Sequence, residues 1–216
     1  KELFIGAAHE LKTPLAVMKT KNEVTLLKPR ESEKYIDTLK SNNQTINEMN
    51  KMIGNILEIG RQEGAQFEKP VVLDMMRFLK EQINNYTILA KMEEKEILEE
   101  IPTKHYKITI QPTLLIHILQ NFVQNAIKFT PKGGHITIRA YSNKEGFHIF
   151  VIDEGIGIDE SKDLFAPFKR YGNQTGAGLG LFLAKSAADA IGAKITLKNR
   201  TDREGTIASL LIPHKI

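Results

Sequence analysis

Cysteine and tryptophan are absent from the 216 residues. No stretch approaches the roughly 20 consecutive apolar residues of a membrane-spanning helix. Without cysteine there is no thiol nucleophile, no CxxC redox chemistry, no disulfide scaffold and no cysteine-type zinc site. An excess of one charge is also lacking. Lys and Arg number 30 against 26 Asp and Glu, and the two signs are interleaved, so no face is built to neutralise a nucleic-acid backbone. The first 64 residues hold 10 basic and 9 acidic side chains, which further disfavours a nucleic-acid partner. What is present is a composition of 41% hydrophobic residues, that of a globular protein. At this length folding buries roughly 70% of the unfolded surface, enough for one large domain or two modest ones without a metal or a bridge. The N-terminus KELFIGAAHELKTP carries acidic residues and a helical pattern where a signal peptide is basic and then apolar. With no initiator Met, it reads as a fragment of a longer chain.

Apolar positions Phe4, Ala8, Leu11, Leu15 and Met18 recur at three and four residues and predict a helix from about Glu2 to Leu27. After the break at Lys28-Pro29-Arg30, Ser32 is placed to cap a second helix. In it Ile36, Leu39, Ile46, Ile53 and Leu57 follow a heptad seam with Asn43 and Asn50 in polar slots. A further row, Met49, Met52, Ile56 and Ile59, widens the stripe. A helical hairpin apolar on two rows cannot bury both by itself, so dimerisation into a four-helix bundle is expected. The pattern lapses over 60–70, where a connector and a domain boundary are placed. Beyond it, helical segments (73–90, 113–129, 179–191) mix with strand-like runs (107–110, 135–141, 148–153, 194–198, 207–212), predicting an α+β sandwich of helices over a mixed sheet.

Four constellations carry chemistry. In His9-Glu10-Leu11-Lys12-Thr13-Pro14, His9 lies about 160° around the helix from Leu11, so its imidazole projects away from the apolar stripe. An exposed imidazole beside a carboxylate is a candidate nucleophile, and Pro14 inside the helix forfeits a backbone bond at about 3 kcal/mol in ordinary contexts. Asn121, Asn125 and Lys128, at steps of four and three, share one helix face. They offer carboxamide oxygens for a cation and an ammonium for phosphate. Asp153, at the end of the apolar run HIFVI, precedes Gly155 and Gly157. A carboxylate there can accept a hydrogen bond from an exocyclic amine such as that of adenine. Gly176, Gly178 and Gly180 with Leu179 open a helix whose N-terminal amides suit phosphate, but no strand precedes them, so a dinucleotide fingerprint is excluded.

In this order and spacing the sequence resembles the catalytic core of bacterial two-component sensor histidine kinases, over almost the whole chain. His9 to Pro14 match the H-box, Asn121 to Lys128 the N-box, and Asp153 to Gly157 the first glycine box. Leu164 to Phe168 match the F-box, Gly176 to Leu181 the second glycine box, and Gly205-Thr206 the closing element. The resemblance implies a multidomain chain. A dimerisation and histidine-phosphotransfer hairpin spans 1–64, and an ATP-binding domain of the GHKL or Bergerat type, an α+β two-layer sandwich, spans 65–216. It implies His9 as phosphoacceptor, Glu10 as the adjacent base and Thr13 as the residue orienting water for removal of phosphate from the partner. It further implies Asn125 as the Mg2+ ligand, Asn121 and Lys128 near the phosphates, Asp153 on adenine and Arg170 near the γ-phosphate. Gly155, Gly157, Gly176, Gly178, Leu179, Gly180 and Thr206 complete the implied nucleotide site, and 169–175 forms a short lid. The implied partners are a second copy of the chain and the receiver domain of a response regulator. The implied setting is the cytoplasmic side of a membrane-anchored protein. Gln111 stands where many members have Asp, a position usually regarded as structural. The rival reading is an ATP-switched GHKL scaffold in which His9 is structural.

Overall fold

A computed structural model describes residues 2–65, 67–102, 104–167 and 178–214. The chain divides into two compact units, one formed by 1–61 with 166–180 and the other by 62–165 with 181–216.

The first unit is a hairpin of two helices, α1 (Glu2–Leu26) and α2 (Ser32–Ala65). Helix α1 runs on through Pro14. Ser32, expected as a cap, is the first helical residue, and Lys34 donates its amide to the carbonyl of Glu31. The buried row of α1 differs from the expected one. Ala7 is buried and Leu11, Pro14 and Met18 are half-buried, whereas Ala8 and Leu15 face solvent. Towards the turn the helices are joined by polar contacts that periodicity does not reveal: Lys21 Nζ to Ser41 Oγ at 2.7 Å, Asn42 Nδ2 to Asn22 Oδ1 at 2.7 Å, and the hydroxyls of Thr25 and Thr38 at 3.1 Å. On α2 the two apolar rows have different fates. Met49, Met52 and Ile56 are half-buried, while the heptad seam stays exposed, Leu39 at 63% and Leu57 at 60%.

The second unit is the α+β sandwich. Its elements are β1 (Val71–Asp74), α3 (Met75–Met92), β2 (Glu96–Glu100), β3 (Lys107–Ile110), α4 (Pro112–Phe129), β4 (His135–Ser142), β5 (Gly146–Ile152), α5 (Gly180–Ala190), β6 (Lys194–Asn199) and β7 (Thr206–Pro213). A five-stranded sheet has the order β2-β4-β5-β7-β6, with β2 parallel to β4 and every other pair antiparallel; β1 and β3 form a separate antiparallel pair. Alternate residues Ile136, Ile138 and Ala140 of β4, Phe147, Ile149 and Val151 of β5, and Ala208, Leu210 and Ile212 of β7 enter one core with the apolar faces of α3, α4 and α5. The opposite face of the sheet carries Tyr141, His148 and Phe150, whose rings stack at 4.9 to 6.0 Å.

Three boundaries depart from expectation. The segment read as connector is helical through Ala65. Helix α3 begins at Met75 because Leu73 and Asp74 belong to β1, and Asp74 caps the helix by accepting the amides of Met76 and Arg77 at 3.1 and 3.5 Å. Strand β2, EILEE, escaped notice because three of its five residues are glutamates, and only pairing with β4 makes it a strand.

Candidate functional site

His9 is exposed on α1, Glu10 beside it is half-buried, and Thr13 is exposed with its hydroxyl donating to the His9 carbonyl at 3.3 Å. Pro14 has no amide to give the Glu10 carbonyl, so the helix is locally short of a bond one turn after His9. The hydroxyl of Thr13 closes the turn just before that gap.

In the sandwich, Asn121 and Asn125 lie half-buried along α4 and Lys128 is exposed near its end. The Asn121 carboxamide donates to the His117 carbonyl at 2.8 Å. The Lys128 ammonium stands 5.0 Å from the centroid of the Phe129 ring. The end of α4 abuts the first glycine box. A Cβ on Gly155 would meet the Phe129 carbonyl oxygen and Cβ, and Asp153 Oδ1, each at 3.0 Å. A side chain at Gly155 therefore forces the end of α4 or the Asp153 carboxylate to give by a few tenths of an ångström.

Asp153, 6% exposed, is the centre of this region. Its Oδ1 accepts the amides of Gly155 at 2.8 Å and Thr206 at 2.9 Å, and its own amide donates to the Thr206 carbonyl at 2.9 Å. Burial pushes the carboxyl above its usual range, while these amides, the Thr206 hydroxyl and the Arg200 charge pull the other way. Gly157 has φ +75°, and Asn199 fastens the chain just beyond it: Asn199 Oδ1 accepts the Ile158 amide at 2.7 Å and Asn199 Nδ2 donates to the Ile158 carbonyl at 2.8 Å. Gly205, at φ +139°, passes so close that a Cβ would lie 2.1 Å from the Asp153 carbonyl oxygen.

Gly178 has φ +66°, Leu179 is buried and Gly180 opens α5. Arg170, Gly176, Phe168 and the lid 169–175 lie outside the described residues. Within the sandwich, then, Asp153, Gly155 and Thr206 are joined by direct hydrogen bonds, Gly157 sits against Asn199, and α4 reaches Gly155 through Phe129. Sequence reasoning missed Phe129, Asn199 and Arg200. Phe129 is the last residue of the helical segment 113–129, Asn199 is the last residue of β6, and Arg200 begins the polar loop RTDREG, whose composition signals only a solvated turn.

Gln111 is the N-cap residue of α4 and makes no side-chain cap bond; the Thr113 amide is met by Glu68 Oε2 at 3.4 Å instead. The departure at this position is therefore a matter of helix capping.

A hairpin with an exposed histidine on its first helix, followed by three helices over a five-stranded mixed sheet, is the architecture of a histidine-kinase catalytic core. The family model of the His Kinase A (phospho-acceptor) domain matches residues 1–65, and that of the Histidine kinase-, DNA gyrase B-, and HSP90-like ATPase matches residues 110–216. The chain belongs to the sensor histidine kinases. Sensor histidine kinase WalK of Bacillus subtilis is 26% identical over 227 residues, covering 100% of this chain and 37% of its own length. Sensor protein VanSB of Enterococcus faecalis is 28% identical over 207 residues, 92% of this chain and 46% of its own. Among solved structures, histidine kinase ThkA in complex with response regulator protein TrrA shares the fold with a TM-score of 0.72 at 21% identity, over 100% of this chain and 62% of that one. Acinetobacter baumannii histidine kinase AdeS does so at 0.66 and 18% identity, over 96% and 98%. The chain spans less than half the length of these two curated relatives. Among the described residues no helix is long and apolar enough to cross a membrane.

Proposed function

We propose that this chain catalyses ATP-dependent phosphorylation of its own His9 and passes the phosphoryl group to an aspartate of a response regulator. The observation that carries the reading is the pairing, in one chain, of a solvent-facing His9 beside Glu10 with a buried Asp153 held by two backbone amides. The hairpin is assigned to 1–64 and the ATP-binding domain to 65–216.

The neutral imidazole of His9 attacks the γ-phosphorus of ATP, the bond from that phosphorus to the bridging oxygen breaks, ADP departs, and the ring proton passes to Glu10. Asp153 accepts the exocyclic amine of adenine, with the Thr206 hydroxyl beside it. Phe129 offers an aromatic face, and Asn121 and Lys128 lie on the phosphate side. Gly155, Gly157, Gly176, Gly178 and Gly180 allow the backbone to approach the nucleotide, the buried Leu179 seats the last two of them against the core, and Arg170 belongs to the γ-phosphate. Mg2+ fits the donor set: Asn125 supplies one neutral oxygen of the kind a hard cation accepts, and phosphates and water supply the rest. When bound, the ion neutralises charge on the triphosphate. A second copy of the chain covers the heptad seam, and the natural protein is anchored in the cytoplasmic membrane with this part in the cytoplasm. ThkA, solved with its response regulator TrrA, supports the assignment of the phosphoryl acceptor.

The test is incubation with γ-labelled ATP and Mg2+ followed by acid and alkali, with His9→Ala alongside. Acid-labile, alkali-stable label that is lost in the variant, while ATP binding persists, is expected. Label that survives the substitution overturns the assignment, and tight ATP binding with no label in either protein moves the reading to an ATP-switched scaffold.

A further inference from the structure

The β6–β7 loop holds a cation with no place in the mechanism above. Arg200, its side chain only 13% exposed, is gripped by Asp202 through two bonds, Nε to Oδ1 at 3.0 Å and Nη2 to Oδ2 at 2.7 Å. Its remaining terminal nitrogen, Nη1, donates to the Asp153 carbonyl at 3.2 Å, and its own amide donates to the Gly205 carbonyl at 3.0 Å. A Cβ on Gly205 would strike Arg200 Cδ at 2.6 Å, so the arginine stem crosses directly over that glycine. The guanidinium is thus fixed at three points, two on Asp202 and one on the residue that faces the base. A freely solvated surface arginine has no reason to be so constrained, since immobilising it forfeits rotamer entropy.

We propose that Arg200 is a positioning residue for Asp153: by anchoring that residue's backbone carbonyl and setting a positive charge beside it, Arg200 favours the ionised carboxylate and thereby sharpens the selection of adenine over guanine. The proposal rests on the reading of Asp153 as the adenine acceptor. An ionised carboxylate only accepts hydrogen bonds, which suits the exocyclic amine of adenine and repels the carbonyl oxygen that guanine presents at the equivalent position. Once protonated, the same group donates, and the discrimination weakens or reverses. Burial favours the protonated form of Asp153. Arg200 is the cation arranged against it.

Other charges surround the site. Glu154 follows Asp153 on the chain and accepts the His135 amide from β4 at 2.9 Å. It also meets His135 Nδ1 and Arg203 Nη1, each at 3.4 Å. Lys128 reaches over Phe129 from α4, and Asp202 faces Arg200 itself. Glu154 is met by His135 and Arg203, and Asp202 by Arg200 and Arg203, so among the described residues Arg200 is the charged side chain bonded to Asp153 itself, through its backbone carbonyl.

The experiment is calorimetric titration of the whole chain with ADP and with GDP, in Mg2+, from acid to neutral pH. The proteins are the parent, Arg200→Gln, Arg200→Lys, Asp202→Asn and Asp153→Asn. Removing the Arg200 charge takes away one of the influences that hold the Asp153 carboxyl pKa down. Expected is an acid-side loss of ADP affinity whose midpoint moves to higher pH in Arg200→Gln, with a loss of the ADP-over-GDP preference confined to that limb. Arg200→Lys restores part of the shift, and Asp202→Asn, which removes a negative charge and leaves the guanidinium, does not raise the midpoint. A loss of affinity in Arg200→Gln that is equal at every pH, with selectivity intact, overturns the proposal, as does an unmoved midpoint in Arg200→Gln. If instead Asp153→Asn keeps parental affinity and preference, the adenine reading itself fails and the proposal falls with it. That outcome is distinguished because the fault then appears in the Asp153 variant.

Discussion

Asp153 Oδ1 accepts the amides of Gly155 and Thr206 together, so one atom ties the start of the glycine loop to the start of β7. Burial nevertheless outweighs those bonds and raises the carboxyl pKa. The native state then binds the proton more tightly than the unfolded chain does. The ionised group costs stability above its folded pKa, and that cost is relieved as pH falls through the window towards the unfolded value. Asp153→Asn, which keeps an acceptor oxygen, is expected to raise the melting temperature at neutral pH and to lose that advantage in acid. It is also expected to weaken ADP roughly ten- to hundredfold, the worth of a charge-assisted bond of about 1.5–3 kcal/mol. Melting curves across pH, with calorimetry, check both signs.

Thr13 closes a helical turn onto the His9 carbonyl, yet its hydroxyl is exposed. A bond so open to water contributes about 1 kcal/mol at most, and losing it leaves α1 folded. Thr13→Ala is expected to lower phosphatase activity on a phosphorylated response regulator at least tenfold while changing autophosphorylation less than twofold. Parallel assays of the two activities decide; equal loss of both contradicts the role.

Gly205 and Gly192 both have positive φ, +139° and +70°, but only Gly205 is crowded, with the Asp153 carbonyl oxygen 2.1 Å from its hypothetical Cβ; nothing lies within 4 Å at Gly192. Gly192→Ala is expected to cost about 1–2 kcal/mol from backbone strain alone. Gly205→Ala adds a clash with backbone that cannot swing aside. Chemical denaturation is expected to show a loss of about 3 kcal/mol or more, accompanied by loss of nucleotide binding.

Why some of this was legible in the sequence and some was not follows from range. The alternation in β4, β5 and β7 and the spacing of Asn121, Asn125 and Lys128 are local patterns, and they survive intact in the structure. Asp153 was legible because a carboxylate ending an apolar strand before two glycines is a short-range signal. Strand β2 was not, since its pairing partner lies about 40 residues away and its glutamates oppose the usual strand composition. Arg200 was invisible for the same reason: its meaning is a contact with a carbonyl 47 positions earlier. The polar joins of the hairpin, such as Asn22 with Asn42, also depend on register across a turn.

The exposed seam of α2 makes a sharp prediction about assembly. Ile46 and Ile53, 44% and 42% exposed, sit one heptad apart on the open face, away from the half-buried Met49 and Met52. Replacing both with Asp places two charges on the surface a second copy is proposed to cover, and burying an unpaired carboxylate there costs several kcal/mol. Light scattering is expected to show a dimer for the parent and a monomer for Ile46→Asp/Ile53→Asp, with α3 to α5 and their sheet still folded. A dimer that persists in the double variant excludes this seam as the interface.

Helix α4 starts with a defect that can be repaired. Gln111 occupies its N-cap without a side-chain bond, and Glu68 reaches in from outside the helix to the Thr113 amide at 3.4 Å. An aspartate at that position has the shorter side chain that folds back onto the first-turn amides and adds negative charge at the positive end of the helix dipole. Gln111→Asp is expected to stabilise the sandwich by about 1 kcal/mol at neutral pH. The gain is lost as acid protonates the new carboxylate. Glu68 competes for the same amide, and its charge opposes the new one, so the increment should be larger in a Glu68→Gln background than in the parent. Urea unfolding of the four proteins measures the coupling directly. A positive interaction between the two substitutions is the expected result, and strict additivity would show that Glu68 is not acting as the surrogate cap.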